Sequence, residues 1–359
     1  MDTRRDFLKK SALSLGATSL GGAALGAGGE KQFSPSSSSS LPKKNRQIVW
    51  RLQTYATAAL AEFVIKPSID IFNKVAKGQM KIELYTADEI VSTDELFEAL
   101  KRGEIDAIQS DDDSLNTGVP ISVFTGYFPF AFKSAQDVSV LFNEWGLQDI
   151  WAEAYGRVNG VNWLGAGAWD PFHLITTKPI HGLDDFRGLR LHTFPTAGKF
   201  LSRFGVIRED IKADDVKIAL KAQDIHGIAC SGITEAYTLG WADIANYFLT
   251  NSISGAWCGS YFANSKSWDS LPSHLQELFK LCMTFSHYRR QHWYHAEETR
   301  LRAYGKKLQL TTIPDYEWKL IESEGYLFWK EIAKIDPLNA KVIKIFEKYR
   351  ETVKKAEQT

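Results

Sequence analysis

Two segments of this chain repeat one pattern: Asp94–Ile108 reads DELFEALKRGEIDAI and Asp214–Ile228 reads DDVKIALKAQDIHGI. The helix pattern, the central Ala-Leu-Lys and the apolar finish coincide, so each unit reads as a helix feeding a short buried strand. A strand of that kind needs a sheet to enter. Two such units, separated by about one lobe of sequence, point to two similar α/β lobes, each with its own sheet. Chance likeness between two amphipathic units is the competing account.

The stretch before the first unit supports a parallel α/β sheet. Gln47–Ala56 has the β-branched and aromatic content of a strand. Ala59–Val75 carries Phe63, Ile65, Ile69, Phe72 and Val75 at mainly helical spacing, with Gly78 as its stop, and Met80–Tyr85 alternates as a strand should. Between the repeats lie many aromatics, Tyr127, Phe128, Phe130, Phe132, Trp145, Trp151 and Trp163 among them, which read as core. Leu275–Leu308, Tyr316–Lys334 and Pro337–Lys355 read as amphipathic helices that brace the lobes or, alternatively, meet a second subunit in a homodimer.

Ahead of the first strand, Thr3-Arg4-Arg5-Asp6-Phe7-Leu8-Lys9 precedes a weakly apolar, small-residue run from Ser11 to Gly29. Charged start, apolar middle and small-residue end are the order of a signal peptide, and the paired arginines match the twin-arginine version. A membrane anchor would need about 20 strongly apolar residues. The expected division is 1–29 signal peptide, 30–45 Ser/Pro-rich leader, 46–168 with 254–284 as lobe I, and 169–253 with 285–359 as lobe II and C-terminal helices. The expected location is the periplasm.

Lys and Arg number 43 against 43 Asp and Glu, with no dense basic stripe, which argues against nucleic acid as a partner. Cys230, Cys258 and Cys282 form no C-x-x-C pair and indicate neither a zinc site nor a disulfide framework. There is no G-x-S-x-G, H-E-x-x-H, phosphate loop or cofactor fingerprint. Catalytic residues, metal and cofactor are therefore not expected. An exported enzyme stays open as an alternative because triads are assembled in space, and a sensor receptor would look identical from the chain.

Three runs carry a family resemblance. Ala61–Asp106 has a helix, then Gly78-Gln-Met-Lys-Ile-Glu-Leu-Tyr, then a Glu-rich helix ending Arg-Gly-Glu-Ile-Asp. Lys178-Pro-Ile-His-Gly-Leu-Asp-Asp-Phe-Arg-Gly-Leu-Arg-Leu precedes the second repeat, and Glu235-Ala-Tyr-Thr-Leu-Gly-Trp-Ala-Asp-Ile-Ala-Asn-Tyr follows it. Together they resemble the solute receptors of tripartite ATP-independent periplasmic (TRAP) transporters, the last run looking like the branch for 2-oxo and 2-hydroxy acids. The resemblance implies a periplasmic binding protein type II-like fold, two α/β lobes with a ligand cleft and a helical C-terminal region. It also implies a receptor that captures a small organic solute, usually a carboxylate, and delivers it to TRAP membrane permease subunits.

In that family an arginine two residues past Gly-Leu-Arg clamps the carboxylate; here Gly188-Leu189-Arg190 is followed by Leu191 and His192. Histidine cannot reproduce a permanent bidentate cation, and strand alternation puts Arg190 on the same face as His192. A carboxylate on protonated His192 would bind more weakly as pH rises. A second family position falls in Gly167–His173, where Trp169 can stack on a ligand, Asp170 can hold an amine or hydroxyl, and His173 can donate a hydrogen bond. Strand ends, where open α/β sheets bind ligands, add Gln53, Tyr55, Asp111, Ser231 and Glu235. The run Asp111-Asp112-Asp113 reads as a solvated loop rather than a metal site. Cys230 stands where the 2-oxo acid branch has a glutamate that helps hold a cation, which lowers the case for a bound ion further.

Overall fold

The computed structural model describes residues 47–358; the signal-peptide and leader assignments fall outside them. Eleven strands form two sheets: β1 Ile48–Thr54, β2 Met80–Tyr85, β3 Ala107–Ser110, β4 Val161–Ala168, β5 His173–Thr176, β6 Arg190–Thr193, β7 Ile207–Glu209, β8 Gly227–Ser231, β9 Tyr247–Leu249, β10 Cys258–Asn264 and β11 Gln309–Thr311. One sheet has the order β2-β1-β3-β10-β4 and the other β11-β9-β5-β8-β6-β7.

The two sheets share a plan. β1 runs parallel to β2 and β3, and β6 runs parallel to β7 and β8. In each, the next strand is antiparallel, β10 beside β3 and β5 beside β8. The all-parallel reading of the first lobe thus gives way to a mixed sheet, because β10 arrives from a segment distant in sequence. The repeats end in β3 and β8, equivalent places in different sheets. Their helices, Leu96–Arg102 and Val216–Ala222, both stop at a left-handed residue whose N–H meets the carbonyls of the third- and fourth-last helical residues: Gly103 (φ 77) and Gln223 (φ 63). The likeness extends to bracing. Asp106 accepts the N–H of Arg51 in the middle of β1, and His226, its counterpart, accepts the N–H of Arg190 at the start of β6.

The helix expected over 59–75 is two helices, Ala58–Val64 and Lys66–Val75, hinged at Ile65 (φ −132). Pro67 explains the break, since its ring nitrogen cannot continue the ladder.

Two segments cross between the sheets, 169–172 and 250–257, and they pair with each other. Trp169 donates its N–H to Trp257 O (2.9 Å), and Phe172 to Ser254 O (2.7 Å). The helix Ser273–Tyr304 splints this hinge without interruption at 284/285. Phe279 packs edge-on to Trp50 of β1, while further along Tyr294 bonds Glu235 and Arg302 bonds His173 of β5. Asp315–Ile332 holds the second sheet's side through Arg203–Glu324 and through Glu317, which accepts the Leu183 N–H. Pro337–Ala356 returns to the first, setting Phe346 against Phe124 and Phe132. No helix among the described residues is long and apolar enough to cross a membrane.

Candidate functional site

The carboxyl ends of β1, β3, β6 and β8 face a cleft walled by the hinge, which is where open α/β sheets place ligands. Its walls are aromatic. Trp169 and Trp257 stack with centroids 4.8 Å apart, and Tyr55, just past β1, meets both edge-on at 5.1 and 5.3 Å. Phe194, just past β6, lies 5.7 Å from Trp257 and 5.2 Å from Tyr127.

Into this box point three carboxyl groups. Asp170 accepts from Tyr127 Oη (2.9 Å) and Trp257 Nε1 (2.8 Å) on one oxygen and from Gly232 N (2.8 Å) on the other. Asp111 accepts from Ser114 N (2.7 Å) on one oxygen, and its other, Oδ2, is buried with no partner among the described residues. Glu235, in the helix Ile233–Thr238 after β8, accepts the Tyr294 hydroxyl. Burial pushes Asp111 up to about 6 and Asp170 up to about 7, and lifts Glu235 well above its ordinary value, with the Asp170 charge adding to it. Both Tyr55 and Cys230 are raised by burial first and then by Glu235, Asp170 and Asp111, so the three acids surround one place.

Cations are few here and already engaged. Arg290 lies 3.8 Å over the Trp169 ring, but its guanidinium donates to Ala168 O (2.9 Å) and contacts His287. Arg208 donates to Thr193 O (2.9 Å) and pairs with Asp210 at 3.3 Å. Buried acids without a counter-ion are costly, and a cation entering among them relieves that cost while its charge faces the surrounding rings.

A tie crosses the cleft beside the acids. Asp113, after β3, accepts from the N–H (2.8 Å) and hydroxyl (2.7 Å) of Thr196, which begins the helix after β6. Asp112 turns the other way, accepting from Trp151 Nε1 (3.2 Å) and Tyr155 Oη (2.7 Å) in the core. The expectation of a solvated Asp111–Asp113 loop is therefore corrected. The chain turns inward after β3 and sends each carboxyl to a different buried setting.

Of the residues singled out from sequence, Tyr55, Asp111, Trp169, Asp170 and Glu235 converge. Trp169 is at once a hinge residue and a wall of the cleft. The other five stand apart from them. Gln53 pins the 90–91 loop, donating to Val91 O (2.7 Å) and accepting from Ile90 and Val91 N–H. His173 donates to Leu249 O (2.9 Å), accepts from Arg302 (2.9 Å) and is held neutral by burial, with its titration near 3. It lines a groove of about 480 Å³ together with Lys133, His295 and Arg302. Arg190 sits at the strand end away from the cleft and donates to Gln223 O (2.6 Å).

His192 stands beside Arg208, Glu209 and Asp210, and burial pulls its titration down to about 4. It is neutral at physiological pH and does not supply the clamping cation. Ser231 is fully buried, its hydroxyl 3.4 Å from Gly232 O. Sequence reading missed Tyr294, Trp257, Phe194, Gln109 and the Asp113–Thr196 tie, whose only local signal was a place within or beside a strand or on the long helix.

Residues 66–320 match the family described as "Bacterial extracellular solute-binding protein, family 7" (DctP). Among solved structures, the chain is similar to a TRAP periplasmic solute binding protein from Chromohalobacter salexigens with bound (S)-(+)-2-amino-1-propanol. Identity is 53%, TM-score 0.85, and the match covers 87% of this chain and 98% of that one. A TRAP receptor from Pseudoalteromonas atlantica with bound sodium and pyruvate shares 21% identity at a TM-score of 0.76, covering 86% and 95%. Another from Bordetella bronchiseptica, a mixed occupancy dimer with calcium and picolinate, shares 18% at 0.76, covering 88% and 95%. These last two share its fold.

Proposed function

The chain belongs to the DctP family of bacterial extracellular solute-binding proteins, and from that premise we propose that its cleft captures a small protonated amine for delivery to a TRAP permease. The observation that carries the reading is the set of Asp111, Asp170 and Glu235, each at most 5% exposed, around one aromatic box. A carboxylate ligand would meet three acids there and no uncommitted cation. The amino alcohol bound by the Chromohalobacter salexigens relative supports the same choice.

Calorimetric titration with (S)-2-amino-1-propanol and with pyruvate tests this. The amine should bind and pyruvate should not compete. An aliphatic amine, like that of lysine at about 10.4, stays protonated well above neutrality. The acids, raised to about 6 and 7 in the empty cleft, must ionise to receive it, so binding releases protons. Affinity should therefore rise with pH up to at least about pH 7, by up to about tenfold per unit per proton released. This is opposite in sign to a carboxylate held by protonated histidine. Affinity that falls with rising pH would sink the amine reading.

For export, the Arg4-Arg5 pair supports the twin-arginine route to the periplasm. Replacing both by lysine should leave the precursor in the cytoplasm, as cell fractionation would detect; undiminished export would remove that route.

A further inference from the structure

We propose that Trp169 and Gln109 form an oxygen-reading subsite beside the acids, so that the amine taken by this cleft carries a neutral hydroxyl close to its nitrogen. The proposal rests on the amine reading above and deepens it. Both side chains are buried, at 1% and 0% exposure, and both present a donor with no partner among the described residues, Trp169 Nε1 and Gln109 Nε2.

The orientation of the Gln109 amide follows from its neighbours. Thr54 Oγ1 accepts the Ala56 N–H (3.2 Å), so its own proton is free to be donated to Gln109 Oε1 (2.7 Å). The amide oxygen is thereby occupied and the NH2 group is the free end. The two donors meet at one spot. A methyl group built on Gly259 of β10 would lie 2.8 Å from Trp169 Nε1 and 3.2 Å from Gln109 Nε2, so the bare glycine backbone lets them approach one another.

Each donor adjoins an acid: Trp169 precedes Asp170, and Gln109 lies two residues before Asp111. A molecule with an ammonium and an oxygen a few bonds apart matches that pairing. Indole and amide N–H groups can only donate, so what satisfies them is an acceptor. With Asp111, Asp170 and Glu235 alongside, and Arg290 engaged by Ala168 O, a neutral hydroxyl suits the spot better than a second anion. Leaving a buried donor unpaired is costly, so a site of this kind rejects an analogue that lacks the oxygen.

The test is calorimetry on the mature protein with three probes: (S)-2-amino-1-propanol, isopropylamine, which has the same cation without the oxygen, and L-alanine, which puts a carboxylate in its place. The amino alcohol should bind about 100-fold tighter than isopropylamine, and L-alanine more weakly than the amino alcohol. Trp169→Phe, which keeps the ring and removes the donor, and Gln109→Leu should each lower the amino-alcohol to isopropylamine ratio by about tenfold. Melting curves confirm that either variant is folded, and the ratio is read from whichever is.

Equal binding of both amines by the wild type, or a ratio unmoved in a folded variant, overturns the subsite and leaves the amine reading standing. Tighter binding of L-alanine overturns the neutral-oxygen assignment. Binding of neither amine removes the amine reading and this proposal with it.

Discussion

Asp111→Asn should weaken (S)-2-amino-1-propanol binding by about thirtyfold or more while making the ligand-free protein melt higher at pH 8. One carboxyl oxygen of Asp111 accepts the Ser114 N–H and the other has no partner. Asparagine can keep the first bond and put its NH2 where the second oxygen stood, so the fold should be preserved and only the charge lost. Truncating one side of a buried charged pair costs about 2 to 5 kcal/mol, and each 1.4 kcal/mol is a factor of ten in affinity.

The stability gain has a defined pH window. Burial raises the Asp111 carboxyl from the usual 3.8 to about 6. A raised acid is harmless to stability while protonated in both states, becomes increasingly destabilising as pH rises from its unfolded value of 3.8 to its folded value of about 6, and stays so above it. The variant's advantage should thus be absent near pH 4 and complete above about pH 7. Titration calorimetry and melting curves at pH 5 and 8 check both halves. Unchanged affinity in the folded variant would take Asp111 out of the site.

Asp113→Ala should weaken the same ligand by roughly ten- to a hundredfold, chiefly by speeding its release. The Asp113 carboxyl receives both the N–H and the hydroxyl of Thr196, and these bonds join the β3 end of one sheet to the helix after β6 of the other. Opening the lobes would have to break them, so losing them should favour the open form without touching Asp111, Asp170 or Glu235. A hydrogen bond to a charged group contributes about 1.5 to 3 kcal/mol, and affinity changes within one complex fall mostly on the dissociation rate. Thr196→Val, which removes only the hydroxyl, should have the same sign and a smaller size. Stopped-flow release and small-angle scattering with saturating ligand would report faster release and a larger radius. An unaltered release rate in Asp113→Ala would show that the tie does not hold the cleft shut.

The location of the candidate site was legible because it depends on short-range pattern. A strand end is set by where alternation stops, and Tyr55, Asp111 and Glu235 were found as the residues just past such ends. Trp169 and Asp170 were found at a position taken from family likeness, and the paired sheets followed from the Ala-Leu-Lys repeat. Gln53 and Arg190 misled for a related reason. Adjacency in sequence told which strand they sat on but not whether the side chain was already engaged, Gln53 by the 90–91 loop and Arg190 by the Gln223 carbonyl.

What the chain alone determined, then, was two α/β lobes of one plan with candidate residues at the carboxyl ends of their strands, consequences of periodicity that any short window carries, while the cleft between the lobes was expected from family likeness. The charge preference of that cleft was decided only by tertiary structure. Whether Asp111–Asp113 meets water or Trp151, Thr196 and Tyr55, and whether His192 can hold a proton among Arg208 and Asp210, depends on groups brought close from distant parts of the chain. Burial and long-range partners set the energy of a charge, and neither leaves a trace in local sequence.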